Sequence, residues 1–417
     1  MPRRPQIETV YDGELGAAGS LPAVAPSAPP RLSTEAPTVV PPDGVLVDAR
    51  GFGAELAAPD EVGLTLAHAV TALREGATCV VVRVALGSDF LQQIAKIRAL
   101  RLTWSRLQEL TGTGTDARLV IWAGPDAATW TAYDPWVNLL RNTVGVFAAV
   151  VGGADHVTPI AWDAALGEPD ADAVRLAENT FHVLVEEGHL AAVADPAAGS
   201  WAIESWTANI AADAWALLLR IEAAGGLAAF PVATLAEAER AERATRIVKR
   251  IDGIIGTSLY PNPAEERPLR TGVPIDRGPA RALPFERLRA RADAAPTRPS
   301  VFLAGLGPLA EHGTRLAWVK GLYEIAGIHV VGSPVDDPAA LVSAWRASGA
   351  SVAVLCGSDD HYRAAAESYV TALHGAGARV VLAGRPKDLA LPVDAQVYAG
   401  MDVVAALDAE LRAQGVV

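Results

Sequence analysis

Sulfur-containing residues are scarce in this sequence, which has two cysteines and two methionines among 417 residues. Cys79 and Cys356 each lie inside an apolar, strand-like run, and neither has a second thiol nearby in the sequence. A cysteine-based zinc site therefore has no ligand set. We expect both side chains to be buried, reduced thiols of a cytoplasmic protein.

Long apolar runs and an excess of basic residues are also absent. Although 51% of the residues are hydrophobic, no uninterrupted apolar segment is long enough to span a bilayer. Arg3 and Arg4 are not followed by the apolar segment of a secretory signal. Lys and Arg total 35 against 48 Asp and Glu, a formal net charge of −13, which argues against nucleic acid or an anionic membrane as the main partner. The length and composition indicate a large core and two or three domains.

The first 43 residues are rich in Pro, Ala and Ser and show no periodicity. Prolines interrupt every candidate helix or strand in this stretch. We therefore predict a flexible arm over residues 1–43, which is either disordered or lies across a partner.

Strand and helix patterns alternate from residue 44 onward. Four apolar segments, GVLVDAR, ATCVVVRVAL, ARLVIWAG and ADHVTPIAW, are each followed by a helical pattern. Repeated β–α units predict an α/β fold with parallel strands and right-handed crossovers. Four such units make a partial TIM-type barrel, about half of one, over residues 44–230. Half a barrel leaves two open sheet edges, which another chain, a second copy or the N-terminal arm must cover.

A second alternating series follows a linker. Residues 231–298 are first helical and then rich in Pro and Arg, which predicts an interdomain linker. Residues 299–417 contain the strand-like segments SVFLAGL, GIHVVGS, SVAVLCG, ARVVLAG and, more weakly, AQVYAG. Five strands that alternate with helices predict a C-terminal flavodoxin-like doubly wound domain with strand order 2-1-3-4-5.

Several segments together resemble the methylmalonyl-CoA mutase family. FLQQIAKIRALRLTW, DPWVNLLRNT, VGGADHVTPIAWDAALGEPD and DPAAGSWAIESW resemble consecutive segments in the second half of its barrel. RPSVFLAGLGP and YAGMDVVAALDAEL resemble the cobalamin-domain remnant of its small subunit. The resemblance covers most of residues 44–417. It implies a substrate-binding barrel, shortened here at its N-terminal half, joined to a degenerate cobalamin-binding domain.

The resemblance also implies that the cobalt-binding loop has degenerated. Active subunits carry an Asp-x-His-x-x-Gly loop, whose histidine ligates cobalt and whose aspartate orients that imidazole. In GLGPLAEHGTR, Leu309 stands at the aspartate, Glu311 at the histidine and Thr314 at the glycine, with His312 one residue late. We expect His312 to be an exposed loop histidine, the alternative being a cobalt ligand. Pro308 and Leu309 are expected to fill space that the family keeps open.

Other positions of the family's sites are altered as well. CGSDDHY stands where the family has a Ser-rich turn, and Asp359 and Asp360 are poor neighbours for the phosphate-bearing tail of the cofactor. AGRPKD stands where a Gly-Gly turn is expected. Arg50 falls at or near the family histidine that contacts the reacting carbonyl of the substrate. An arginine there could bind a carboxylate or phosphate, or form a salt bridge on the surface.

Two further groups of residues have both a functional and a structural interpretation. His182, Glu186 and His189 have the spacing of one helical face and could bind a metal, but the helix is expected to end near Gly188, so that His189 leaves the face and no third strong ligand lies nearby in the sequence. The segment Asp195–Trp201 could be a ligand loop, although a tight turn that covers the end of the barrel needs no ligand.

The resemblance implies a non-catalytic, pseudoenzyme subunit of an adenosylcobalamin-dependent acyl-CoA mutase, an isomerase that interconverts methylmalonyl-CoA and succinyl-CoA. The chain would stabilise a catalytic large subunit as a heterodimer, with no cofactor of its own and adenosylcobalamin in the partner. One alternative is an active mutase built from two half barrels, through self-association of the open edges. Another is a stand-alone regulatory module that binds a small molecule. Each alternative places the protein in the cytoplasm.

Overall fold

The computed structural model describes residues 28–33, 40–41, 43–111, 117–335 and 337–417, without the side chains of residues 53–55 and 333. The chain divides into two compact units. The first comprises Met1–Trp130, Pro135–Glu242 and Leu269–Ala280, and the second Thr131–Asp134, Arg243–Pro268 and Arg281–Val417. Most of the predicted arm lies outside the described residues. The predicted linker is divided between the two units, and the domain boundaries stay predictions.

The first unit is a parallel β-sheet with helices packed against it. Its strands are β1 (Arg31–Leu32), β2 (Gly44–Asp48), β3 (Cys79–Leu86), β4 (Arg118–Pro125) and β5 (His156–Val157). Its helices are α1 (Arg50–Glu55), α2 (Ala58–Arg74), α3 (Phe90–Thr111), α4 (Val137–Gly152), α5 (Ala171–His182) and α6 (Trp201–Ala223), followed by α7 (Val232–Val248), which ends in the second unit.

The strand order in this sheet is β1-β5-β4-β3-β2, and every pair is parallel. The four predicted strands therefore lie side by side in chain order, and the α/β class is confirmed. β1 was not predicted, because two residues are too few to show alternation. It pairs with β5 and so covers that edge with residues of the predicted arm. Among the described residues no strand pairs with the outer edge of β2, and the half barrel stays a prediction.

Alternation along the strands places the core of the first unit on one face of the sheet. Val80, Val82 and Val84 of β3 are buried in the layer that the helices fill. Residues of α2 and α6 complete this layer, and the two helices approach closely at Gly63. A Cβ atom at Gly63 would lie 2.9 Å from the carbonyl oxygen of Ala214, so only glycine allows this helix–helix distance.

A buried ion pair joins α2, α3 and β3 within this core. The Lys96 ammonium donates to the Glu61 carboxylate over 2.7 Å and to the carbonyl oxygen of Ala85 over 2.8 Å. The two charged side chains are only 4% and 2% exposed. Because neither charge is solvated, each depends on the other for its stabilisation.

The second unit is a parallel sheet with helices on both faces. Its strands are β6 (Ser300–Leu306), β7 (His329–Val335), β8 (Val352–Cys356), β9 (Arg379–Ala383) and β10 (Ala395–Val397). Its helices are α8 (Leu283–Ala294), α9 (Leu309–Ile325), α10 (Pro338–Ser348), α11 (Asp359–Gly375) and α12 (Val403–Ala413).

The strand order in the second sheet is β10-β9-β8-β6-β7. Counted from the first strand of this unit, that is the predicted order 2-1-3-4-5, which is thus confirmed. The central strand β8 is buried along its whole length, as expected for a parallel strand covered on both faces. The likeness to a cobalamin-binding domain stays a prediction. No helix in the described ranges has the length and apolar character needed to cross a membrane.

Candidate functional site

The strand order of the second sheet creates one favourable place for a ligand. β7 and β8 flank β6 on opposite sides, so the connections that leave β6 and β8 diverge at the carboxyl ends of these strands. Ligands of open α/β sheets bind at such a switch point. We call this place the switch-point crevice, and it is formed by residues 305–315, 356–362 and 383–384.

His312 lies in the first turn of α9 with its ring inside the crevice. It is 2% exposed, and its Nδ1 donates to the carbonyl oxygen of Gly307 over 3.0 Å. The ring packs against Gly305, where a Cβ atom would come within 2.5 Å of Nε2. The prediction of an exposed loop histidine is wrong. Because α9 begins at Leu309, His312 is already helical and its side chain points back toward the preceding strand.

The residues around His312 are exposed. Pro308 precedes the first residue of α9, and both Pro308 and Leu309 lie at the surface. That they fill space which the family keeps open for the cofactor stays a prediction. Thr314, which is predicted to stand at the position of the family's final glycine, is also exposed.

Glu311, which is predicted to stand at the position of the cobalt ligand, is bound by residues from across the crevice. Its carboxylate lies 3.0 Å from Nδ1 of His361 and accepts from the Ser358 hydroxyl over 3.2 Å. His361 can approach because Gly307 has no side chain, and a Cβ atom there would lie 2.3 Å from the His361 ring. Gly307 also has a φ of +75°, which favours glycine. This first bridge connects α9 to the start of α11.

A second bridge comes from Arg315, one helical turn beyond Glu311. Its guanidinium donates to the carbonyl oxygen of Gly357 and, over 3.0 Å, to the carboxylate of Asp359. It also lies 5.3 Å from the centre of the Tyr362 ring. Sequence reasoning missed Arg315. The available signal was its i, i+4 spacing from Glu311, which places both side chains on one helical face.

Tyr362 and Cys356 complete the floor of the crevice. The Tyr362 hydroxyl accepts from the backbone N–H of Gly357 and lies 2.7 Å from the carbonyl oxygen of Ala383. Burial raises the pKa of Tyr362 to about 12 and that of the Cys356 thiol also to about 12. Both groups are therefore neutral at physiological pH, and Cys356 lacks the thiolate that a nucleophile needs. Cys79 and Cys356 are both buried and unbridged, as predicted.

The acidic residues predicted at this end of the sheet have different surroundings. Asp359 pairs with Arg315, whereas Asp360 is exposed and pairs with Arg363 over 2.6 Å. Both lie in the first turn of α11, where the positive end of the helix dipole favours carboxylates. Both carboxylates thus form ion pairs within this chain.

In the first unit, Arg50 forms a salt bridge, which is one of the two roles that the sequence suggested for it. Its Nε and Nη2 atoms donate to the two carboxylate oxygens of Asp48 over 2.8 and 2.7 Å. The hydrogen bonds to Asp48 raise the pKa of Arg50 further above its already high value. The Arg83 guanidinium approaches the same carboxylate at 3.4 Å.

Two of the three candidate metal ligands at the end of α5 are in contact, and His189 lies beyond them. Nδ1 of His182 lies 2.7 Å from the Glu186 carboxylate, but the helix widens into one π-helical turn over Val183–Glu187 and then ends. His189 follows with a left-handed φ of +52°. In the described part of the chain, no three His, Cys, Asp or Glu side chains gather as a metal site would require.

The segment Asp195–Trp201 is fixed by a buried arginine that sequence reasoning missed. Arg98 of α3 is 2% exposed, and its guanidinium donates to both carboxylate oxygens of Asp195 over 3.0 and 2.7 Å. It also donates to Glu204 over 3.1 and 2.9 Å and to the Thr207 hydroxyl over 3.1 Å. One side chain therefore connects α3, this loop and α6. A structural role therefore accounts for this loop without a ligand.

Comparisons with known proteins give a consistent family. The sequence model of the family described as methylmalonyl-CoA mutase matches residues 59–302. The methylmalonyl-CoA mutase small subunit of Streptomyces virginiae is 40% identical over 356 residues, which cover 80% of this chain and 56% of that protein. The probable small subunit of Mycobacterium tuberculosis is 38% identical, with 78% and 55% covered. The small subunit of Propionibacterium freudenreichii subsp. shermanii is 35% identical, with 80% and 56% covered.

This chain spans about half the length of the curated relatives it matches. The region that aligns with each of these three relatives nevertheless covers more than three quarters of this chain. The chain therefore belongs to the methylmalonyl-CoA mutase family and is similar to its small subunits.

Proposed function

We propose that this chain is a non-catalytic subunit of an adenosylcobalamin-dependent mutase that interconverts methylmalonyl-CoA and succinyl-CoA. In this proposal it stabilises a catalytic large subunit, which holds the cofactor. The names of the three relatives described above, each a small subunit, support the pairing with a large subunit. A partner that binds only the folded form of a chain stabilises that form by mass action. Each subunit should therefore stabilise the folded form of the other.

The state of the switch-point crevice is the observation that carries the proposal. The position of the cobalt ligand holds Glu311, whose carboxylate is bound to His361. The imidazole of the next residue in the sequence, His312, donates to the Gly307 carbonyl and packs under the end of β6. Arg315 occupies the space between the connections after β6 and β8. These residues do not fit a corrin with an axial histidine, and we assign no reaction step to cobalamin in this chain.

We expect the purified chain to retain no adenosylcobalamin. After it is mixed with the cofactor and desalted, its visible spectrum should show no corrin absorption, because the two bridges fill the crevice with the chain's own side chains. A mutase large subunit with an intact Asp-x-His-x-x-Gly loop is the positive control and should stay coloured. Stoichiometric retention of colour by this chain would contradict a non-catalytic role.

We further expect the chain to form a stable complex with such a large subunit. Co-expression should raise the soluble yield of both proteins, and size-exclusion chromatography with light scattering should show a heteromeric peak. A well-behaved monomer that binds no large subunit would argue against the proposal. A homodimer that retains adenosylcobalamin would instead favour the active enzyme made of two half barrels, for which the unpaired outer edge of β2 within the described residues is the supporting observation.

A further inference from the structure

Four residues in the first part of the chain belong, by their contacts, to the second unit. These are Thr131–Asp134, although Trp130 before them and Pro135 after them are part of the first unit. We call Thr131–Asp134 the inserted segment. Trp130 is fully buried, and its indole N–H donates to the carbonyl oxygen of Ala161 over 2.9 Å. Helix α4 follows closely after Pro135. The first unit therefore fixes both ends of the inserted segment.

Tyr133 is the centre of the contacts that the inserted segment makes with the rest of the second unit. It is 5% exposed, and its ring contacts two guanidinium groups. The guanidinium carbon of Arg267 lies 3.9 Å from the ring centre, and that of Arg289 lies 5.2 Å from it. Such cation–π contacts are attractive. The Tyr133 hydroxyl donates to the Asp293 carboxylate over 3.1 Å, and Arg289 donates to the same carboxylate over 3.1 Å. Tyr133 thus completes an ion-pair network of the second unit.

The backbone of the inserted segment supplies hydrogen-bond donors to two further carboxylates of the second unit. The N–H of Ala132 donates to Glu286 over 2.7 Å, and the N–H of Asp134 donates to Glu265 over 2.6 Å. Glu286 is buried, and burial raises the pKa of Glu265, an effect that the N–H of Asp134 opposes. Asp134 has a left-handed φ of +46°, a strained conformation that persists only where the surroundings impose it. Loss of the inserted segment would remove a donor from each of these carboxylates, which is unfavourable.

We propose that the inserted segment couples the folding of the two units, so that the second unit is more stable while the first is folded. The folded first unit fixes both ends of the segment, and the second unit then binds it at little further cost in chain entropy. When the first unit unfolds, the same four residues become free chain, and the second unit must bear the full entropy cost of ordering them. Such a coupling is reciprocal, so whatever stabilises either unit also stabilises the other.

A cycle of substitutions in the full chain tests this coupling. Lys96→Met removes the cation of the buried pair with Glu61 and should destabilise the first unit. Hydrogen exchange in increasing urea, followed by mass spectrometry on peptides from β3 and β8, reports the unfolding of each unit separately. With Tyr133 present, Lys96→Met should lower the urea midpoint of both strands. In the Tyr133→Ala background it should lower the midpoint of β3 alone. Tyr133→Ala by itself should speed the slowest exchange in β8 at least about tenfold, because the loss of a buried aromatic ring is a costly truncation.

Two further variants separate coupling from a simple loss of stability. Tyr369→Ala is the matched control, because Tyr369 is a buried tyrosine in the hydrophobic core of the second unit. It should also lower the midpoint of β8, but Lys96→Met should still shift both strands in its background. Tyr133→Leu keeps an apolar side chain and loses the ring and hydroxyl contacts, so it should uncouple the units as Tyr133→Ala does. It takes the place of Tyr133→Ala in the cycle if the alanine variant does not fold.

Either of two results would overturn the inference. If Lys96→Met lowered only the midpoint of β3 while Tyr133 is present, the two units would unfold independently. If Lys96→Met still lowered both midpoints in the Tyr133→Ala or Tyr133→Leu background, the coupling would pass through residues other than the inserted segment. Neither result bears on the binding of a large subunit, so the proposed function would stand in both cases.

Discussion

Lys96→Met should lower the free energy of unfolding by about 4 kcal/mol. The substitution keeps the length and apolar stem of the side chain but removes the ammonium that Glu61 and the Ala85 carbonyl share. The Glu61 carboxylate would then remain at a position that is 2% exposed, with its nearest cation removed. An uncompensated buried charge is among the few single changes that cost this much.

Urea denaturation at neutral pH, followed by tryptophan fluorescence, measures this loss as a lower midpoint. The double variant Glu61→Leu/Lys96→Met is the informative control. It replaces the pair with apolar side chains, so it should recover most of the lost stability. If Lys96→Met lost less than about 1 kcal/mol, a typical value for an exposed pair, the two charges would not be desolvated as the structure indicates.

This ion pair also illustrates what the sequence could and could not predict. The strand segments of β3 and β8 are recognisable because buried parallel strands form short, continuous apolar runs. Their alternation with helical patterns was enough to predict the parallel sheets and the strand order of the second unit. Glu61 and Lys96 lie on helical faces 35 residues apart, and no local pattern indicates that the two faces meet.

The switch-point crevice also contains features that local sequence can predict and contacts that only the packing of the chain reveals. The position of the loop between β6 and α9 was predictable from local sequence, whereas the assignment of Glu311 to the position of the cobalt ligand stays a prediction. The His361 that binds Glu311 lies 50 residues further along the chain, and only the packing of α9 beside α11 brings them together. His312 was mispredicted for a local reason. The sequence did not indicate that α9 begins directly after Pro308, and that single boundary decides whether the ring is exposed or buried.

Arg98→Met should cost about 3 kcal/mol of unfolding free energy at neutral pH. The variant leaves the Asp195 and Glu204 carboxylates close together without the buried guanidinium that holds both. Asp195 also has a left-handed φ of +48°, so the loop needs this anchor to keep its conformation. Arg175→Met is the matched control. Arg175 pairs with Asp172 at the surface, and an exposed pair of this kind contributes under about 1 kcal/mol.

The pH dependence of the difference between wild type and Arg98→Met identifies its origin. Hydrogen bonds from Arg98 lower the pKa of Glu204 in the folded chain, and burial opposes them. A lowered carboxyl pKa stabilises the fold above the unfolded value of about 4.3, and the contribution is lost as the pH falls through the folded value. The stability gap should therefore be constant near neutral pH and shrink below about pH 4.3. A gap that stayed constant down to pH 3 would assign the loss to packing of the arginine stem and not to its charge.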